Sequence, residues 1–91
     1  MPVKLRIPTV LAKAANGQTV HEARGATVGD VVADVASRHP ELGQRLRDAK
    51  GEPYPYVIFY VDDEDIRFQQ GFKTPVAEGA EIVVVPAIAG G

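Results

Sequence analysis

A chain of 91 residues with a formal charge of −2 and no cysteine has room for one domain and no separate catalytic lobe. The missing cysteines exclude disulfides, thiolate metal sites and thiol nucleophiles together. Ten basic residues against twelve acidic ones disfavour a nucleic-acid face, which needs clustered Lys and Arg. Hydrophobic content of 45% suits a globular fold, and no apolar run approaches the roughly 20 residues of a membrane span. Met1 to Ile7 lacks the pattern of a secretion signal, so the expectation is a cytoplasmic protein that binds neither nucleic acid nor membrane.

Val3, Leu5 and Ile7 alternate with Lys4 and Arg6, the period of a half-buried strand, and Pro8 bends or ends it. Asn16-Gly17 marks a turn, after which Gln18–Ala23 reads as a second strand of an opening hairpin. Thr27 is a helix N-cap, with Asp30 at the third position approximating a capping box. Val28, Val31, Val32, Val35 and Ala36 then form one stripe, predicting a helix over Thr27–Arg38. His39 stands before Pro40 and stops it. Such a β-branched stripe cannot hold a helix alone; it needs a sheet to pack on.

Glu41–Arg47, with Leu42 and Leu46 four apart, reads as one or two further helical turns. Gly51 to Pro55 is a loop, and Val57–Val61 is a strongly β-prone run. The acidic residues Asp62-Asp63-Glu64-Asp65 turn it into a short strand over Ile66–Phe68, and Gln69 to Gly71 leaves the sheet. Glu81–Val85 is a last strand whose continuous apolar run suits a central position. The sum is an α+β architecture of the β-grasp, or ubiquitin-like, kind: a mixed sheet of about five strands with one main helix on one face. Residues 1–86 form the domain and 87–91 a flexible C-terminal tail.

A search for catalytic groups finds none assembled. His21 falls on the second strand and His39 at a helix end, with nothing in the sequence to place them together. The acidic run lacks the alternating ligands and following glycine of a calcium loop, which leaves a solvated turn or a patch for a basic partner. Gly25, Gly29 and Gly43 form no phosphate-cradling pattern. Neither a catalytic residue, nor a bound cofactor, nor a metal site is expected.

The C-terminus is different. Pro86 ends the last strand, and Ala87 to Gly91 can reach about 17 Å when extended. Ile88 is the one bulky side chain there, a grip for a partner, with Ala89, Gly90 and Gly91 following as a thin thread. Two bare glycines suit a narrow channel in an enzyme that must reach the terminal carboxylate, because any Cβ would meet its walls. That carboxylate is ionised and inert as an acyl donor until something else, such as an adenylating enzyme, activates it. A terminal Gly-Gly alone would equally fit a frayed end; directly after a strand of such a fold, it favours a delivered carboxylate at Gly91.

The chain also resembles the ThiS/MoaD family of bacterial sulfur-carrier proteins, most closely its CysO-like branch. Ile7-Pro8-Thr9 with Leu11, Val61 through Phe68 with Gly71 and Thr74, and Val85-Pro86-Ala87-Ile88-Ala89-Gly90-Gly91 carry the resemblance. It covers nearly the whole chain and is weakest over residues 37–56, and members often have Asn where Asp62 stands. The resemblance implies that an E1-like adenylating and sulfurtransferase enzyme uses ATP to activate Gly91, and that a sulfur donor converts it to a thiocarboxylate. An acceptor enzyme then takes the sulfur: a cysteine synthase, or a thiazole, molybdopterin or thiosugar synthase. In CysO-like systems a zinc metalloprotease frees the cysteine. A ubiquitin-like modifier joined to lysines, and a plain interaction domain, are the alternatives. Partners must hold the body while the tail threads away, so part of the strand carrying Ile58, Phe59 and Tyr60 is a candidate docking patch with Ile88. Its alternation separates Ile58 and Tyr60 from Val57, Phe59 and Val61 without saying which set faces the helix.

Overall fold

The valine stripe finds the sheet it requires in the computed structural model, which describes residues 2–87. Five strands, β1 (Val3–Arg6), β2 (Val20–Ala23), β3 (Val57–Val61), β4 (Glu64–Asp65) and β5 (Glu81–Pro86), lie in the order β2-β1-β5-β3-β4. The last strand is therefore the middle of the sheet, parallel to β1 and antiparallel to β3. Its register opposes Leu5 to Ile82 on one side and Phe59 to Val84 on the other. All four side chains point to one face and are buried there.

Across that face lies α2 (Val28–Arg38). Val28, Val31, Val32 and Val35 are each fully buried against Leu5, Phe59, Ile82 and Val84 in one apolar core. The Thr27 hydroxyl accepts the Asp30 amide at 3.1 Å, while the Asp30 carboxylate takes the Ala26 amide at 3.3 Å. The capping box is thus displaced by one residue, its reciprocal arm holding the amide before the N-cap. His39 sits outside helical geometry at φ −135°, and Pro40 opens α3 (Pro40–Leu46) at its first position, where no amide is needed. Gly43 lets α3 approach α2 closely, since a Cβ there would stand 2.6 Å from the Ala36 Cβ.

Two segments differ from the sequence expectation. Between β1 and β2 the chain forms a helical turn, α1 (Thr9–Ala12), and a 3₁₀ turn over Lys13–Ala15, where the sequence reading had only the Asn16-Gly17 turn of an opening hairpin. The Pro8 carbonyl accepts from both Leu11 and Ala12, and Ala12 and Ala15 enter the core. The expected strand over Ile66–Phe68 is a 3₁₀ turn, and the strand paired with β3 is β4 instead. The Asp65 carboxylate accepts the Arg67 amide at 2.8 Å, bending the chain out of the ladder and driving Ile66 into the core at 1% exposure. Asp62 and Asp63, with φ of 48° and 71°, form the two-residue hairpin turn between β3 and β4. Positive φ at both positions is what a type I′ turn demands, and Asp and Asn tolerate it best after glycine.

Among the described residues no helix is long and apolar enough to cross a membrane. Replacing Val31 or Val35 with Ala should cost about 1–3 kcal/mol, from lost burial and the cavity left behind. Urea unfolding of the two variants checks this, and a cost near zero would mean the stripe is not the seal described.

Candidate functional site

The central place of β5 decides where the C-terminus leaves the domain. Because β5 is flanked by β1 and β3, its end emerges between the end of β1 and the start of β3. Val57 stands opposite Pro86, and the Ala87 amide donates to the Tyr56 carbonyl at 2.9 Å. The ladder is thereby extended one residue past the proline, which can donate nothing itself. Ala87 is tied to the sheet rather than loose. Ile88, Ala89, Gly90 and Gly91 lie outside the described residues. The Tyr56 ring beside this exit is 67% exposed and meets Tyr54 edge-on, with centroids 5.3 Å apart.

The face of the sheet opposite α2 settles the alternation of β3. Val57 and Phe59 turn inward; Phe59 is 1% exposed and packs edge-on against Phe72 at 5.2 Å. Phe59 is therefore core and cannot serve as a docking residue, which corrects the sequence reading. Ile58 and Tyr60 are half-buried on the open face, opposite Val85 and Val83 of β5. Arg6 lies beside Val83 and Val20 beside Arg6. The Arg6 guanidinium donates twice to Glu81, at 3.2 and 3.0 Å, edging an apolar stripe with a paired charge. Val83 and Val85 were missed in the sequence because their continuous apolar run shows no alternation; β5 does alternate in burial, with Ile82 and Val84 buried and Glu81, Val83 and Val85 half-buried.

The remaining polar groups take structural positions. The structure brings His21 and His39 together, contrary to expectation, with ring centroids 5.0 Å apart and planes at 70°. His21 Nε2 is 2.9 Å from the Gln18 carbonyl, and Arg38 donates to the Glu22 carbonyl at 2.7 Å. Among the described residues no three His, Asp or Glu side chains gather as a metal site. In the acidic run, Asp62, Asp63 and Glu64 are exposed. Asp65 is held by Arg67 at 2.7 Å, and that hydrogen bond keeps its carboxyl below the usual carboxylate range.

Comparison with known proteins finds a match to the ThiS family over residues 5–91. The sulfur carrier protein CysO of Mycobacterium tuberculosis is 38% identical over 93 residues, with both chains covered completely. The crystal structure of the Amycolatopsis orientalis BexX/CysO complex contains a chain similar to this one with a TM-score of 0.89 and 38% identity, covering 98% of this chain and 99% of that one. The crystal structure of M. tuberculosis CysO superposes with a TM-score of 0.87 at 35% identity, over 94% and 99% of the two chains.

Burial of His21 makes stability depend on pH. Desolvation, opposed by the Gln18 carbonyl and aided by His39 and Arg38, holds the imidazole below its ordinary range. The unfolded chain therefore binds the proton first, so stability is full above about pH 6.5 and falls as pH drops below it. The urea midpoint at pH 5.5 should lie below that at pH 7.5, and His21→Gln should flatten the difference. An unchanged difference in the variant would assign the effect elsewhere.

Proposed function

This chain belongs to the ThiS family and is a sulfur carrier, and we propose that the sulfur travels on the terminal carboxylate of Gly91. Placement of the C-terminus carries this reading: the middle strand of the sheet ends at Pro86, five residues before Gly91, and the family match runs through Gly91. The four residues after Ala87 reach up to about 14 Å, enough to carry the carboxylate away from the body and into a partner. An oxygen of that carboxylate attacks the α-phosphorus of ATP held by an E1-like enzyme, and pyrophosphate leaves. A sulfur nucleophile then adds to the acyl carbon and AMP departs; with hydrosulfide the products are thiocarboxylate, AMP and a proton.

The chain is a carrier and not an enzyme in this scheme, contributing position while its partners contribute ATP and catalytic groups. The acceptor is a sulfur-using biosynthetic enzyme such as a cysteine synthase or a thiazole, molybdopterin or thiosugar synthase. A zinc metalloprotease would release a product built on the C-terminus. A cycle that draws on ATP would run in the cytoplasm. Ile58, Tyr60, Val83 and Val85 form the apolar surface on which partners would rest, and Ile88, outside the described residues, is the grip the sequence suggests; such surfaces are expected where a protein is gripped.

Deleting Gly91, or replacing Gly90 with Ala, should leave the melting temperature nearly unchanged. Activation should nevertheless fall about a hundredfold or more, because the carboxylate stops about 3.5 Å short of the nucleotide or the new methyl meets the channel wall. Pyrophosphate exchange with the cognate activating enzyme measures the loss. Normal exchange by the Gly91 deletion would refute the assignment. Lysine conjugation would instead appear as species of much higher mass.

A further inference from the structure

The outermost strands of a sheet carry outward amides and carbonyls that can take up a strand from another molecule. In this sheet those strands are β4 and β2. β4 is two acidic residues long and runs into a 3₁₀ turn, so it offers little to pair with. β2 is four residues long. Ile7 donates to the Thr19 carbonyl where β1 and β2 meet. Antiparallel ladders alternate, so His21 and Ala23 also turn their main-chain groups to β1. Val20, Glu22 and, just past the strand, Arg24 turn theirs outward. Two of these outward groups are already taken. Arg38 Nη2 donates to the Glu22 carbonyl at 2.7 Å, and the Arg24 amide donates to Asp34 Oδ2 at 2.9 Å. Both side chains come from α2, and they pair with each other at 3.4 Å.

That pattern is the pattern of a further strand. A residue of a parallel neighbour opposite Ala23 would give its amide to the Glu22 carbonyl and accept the Arg24 amide with its own carbonyl. Arg38 supplies that donor and Asp34 that acceptor. We infer that the Arg38–Asp34 pair is a surrogate strand, closing the β2 edge against β2 of a second copy of this chain. Direction does not matter to the block. An antiparallel partner needs the amide and the carbonyl of one residue together, and the pair has removed the Glu22 carbonyl and the Arg24 amide. What stays open is the Val20 end, too short to hold a strand alone. A second copy is the occupant excluded because it brings the same edge, and two identical edges meet as a self-complementary two-fold interface. The device draws nothing from the core. Asp34 and Arg38 stand four apart on α2, outside its buried valine stripe.

The test is sedimentation velocity of the full chain over a series of concentrations. Asp34→Ala/Arg38→Ala should form dimers where the wild type is a monomer, with an apparent Kd lower by about tenfold or more. Both side chains reach solvent, and a melting temperature near that of the wild type shows the fold intact. Adding Glu22→Pro removes the outward amide while sparing the ladder with β1, and should return the double variant to monomer. Glu41→Ala/Arg45→Ala deletes the same charges from exposed positions of α3 and should stay monomeric. Hydrogen exchange reads the contact itself: in Asp34→Ala the Arg24 amide should exchange about tenfold faster or more, while Ala23, paired with Val3, should not change. A folded double variant that stays monomeric would overturn the inference. So would association that survives Glu22→Pro or appears equally in the α3 variant, or an Arg24 amide that Asp34→Ala leaves unmoved.

Discussion

Contact between the valines of α2 and the inner face of the sheet is the interaction on which everything else rests. Four valines are fully buried, and burying each side chain contributes about 1.5 kcal/mol or more toward offsetting the chain entropy lost on folding. The same contact fixes orientation. Once Leu5, Phe59, Ile82 and Val84 turn toward α2, the pleat sends Ile58, Tyr60, Val83 and Val85 to the other side. A register slip of one residue in β3 would put Phe59 in water and Ile58 in the core. Sealing the core and presenting the open face are one event.

Topology then sets where the chain leaves the domain. Placing the final strand in the middle of the sheet, rather than at its edge, braces β5 by ladders on both sides. The chain therefore leaves from a rigid origin, with Ala87 still held by Tyr56. On the proposed reading, such an origin helps bring the Gly91 carboxylate to a nucleotide in another protein. Labour on that reading is divided: the core of α2 and the sheet supplies stability, and the end of the main chain would be the reacting group. His21 and His39, which sequence distance gives no reason to pair, meet because β2 lies under the end of α2. Their edge-on contact is packing, and it is burial of His21 that lowers its imidazole from the ordinary range.

Much of this was legible in the residues. Thr27 and the His39-Pro40 pair mark both ends of α2 because capping and proline chemistry are local. The valine stripe announces a sheet for the same reason it makes a poor isolated helix. Gly90 and Gly91, on which the proposed function rests, lie outside the described residues. What escaped was decided by distant partners or by single hydrogen bonds. Ile58 and Phe59 are both apolar, so only the packing of α2 distinguishes their faces. Ile66-Arg67-Phe68 has strand-like composition, yet one bond from Asp65 to the Arg67 amide diverts it. Pro8 was legible as a stop for β1 but not as the carbonyl that starts α1.

The most direct measurement is the intact mass of the wild-type chain after incubation with its activating ATPase, ATP and a sulfur donor, with fragmentation to locate the change. The account predicts a gain equal to one oxygen replaced by one sulfur, confined to Gly91, appearing only with ATP and lost when an acceptor enzyme and its substrate are added. An unchanged mass under conditions that consume ATP, or sulfur found anywhere other than Gly91, would contradict it.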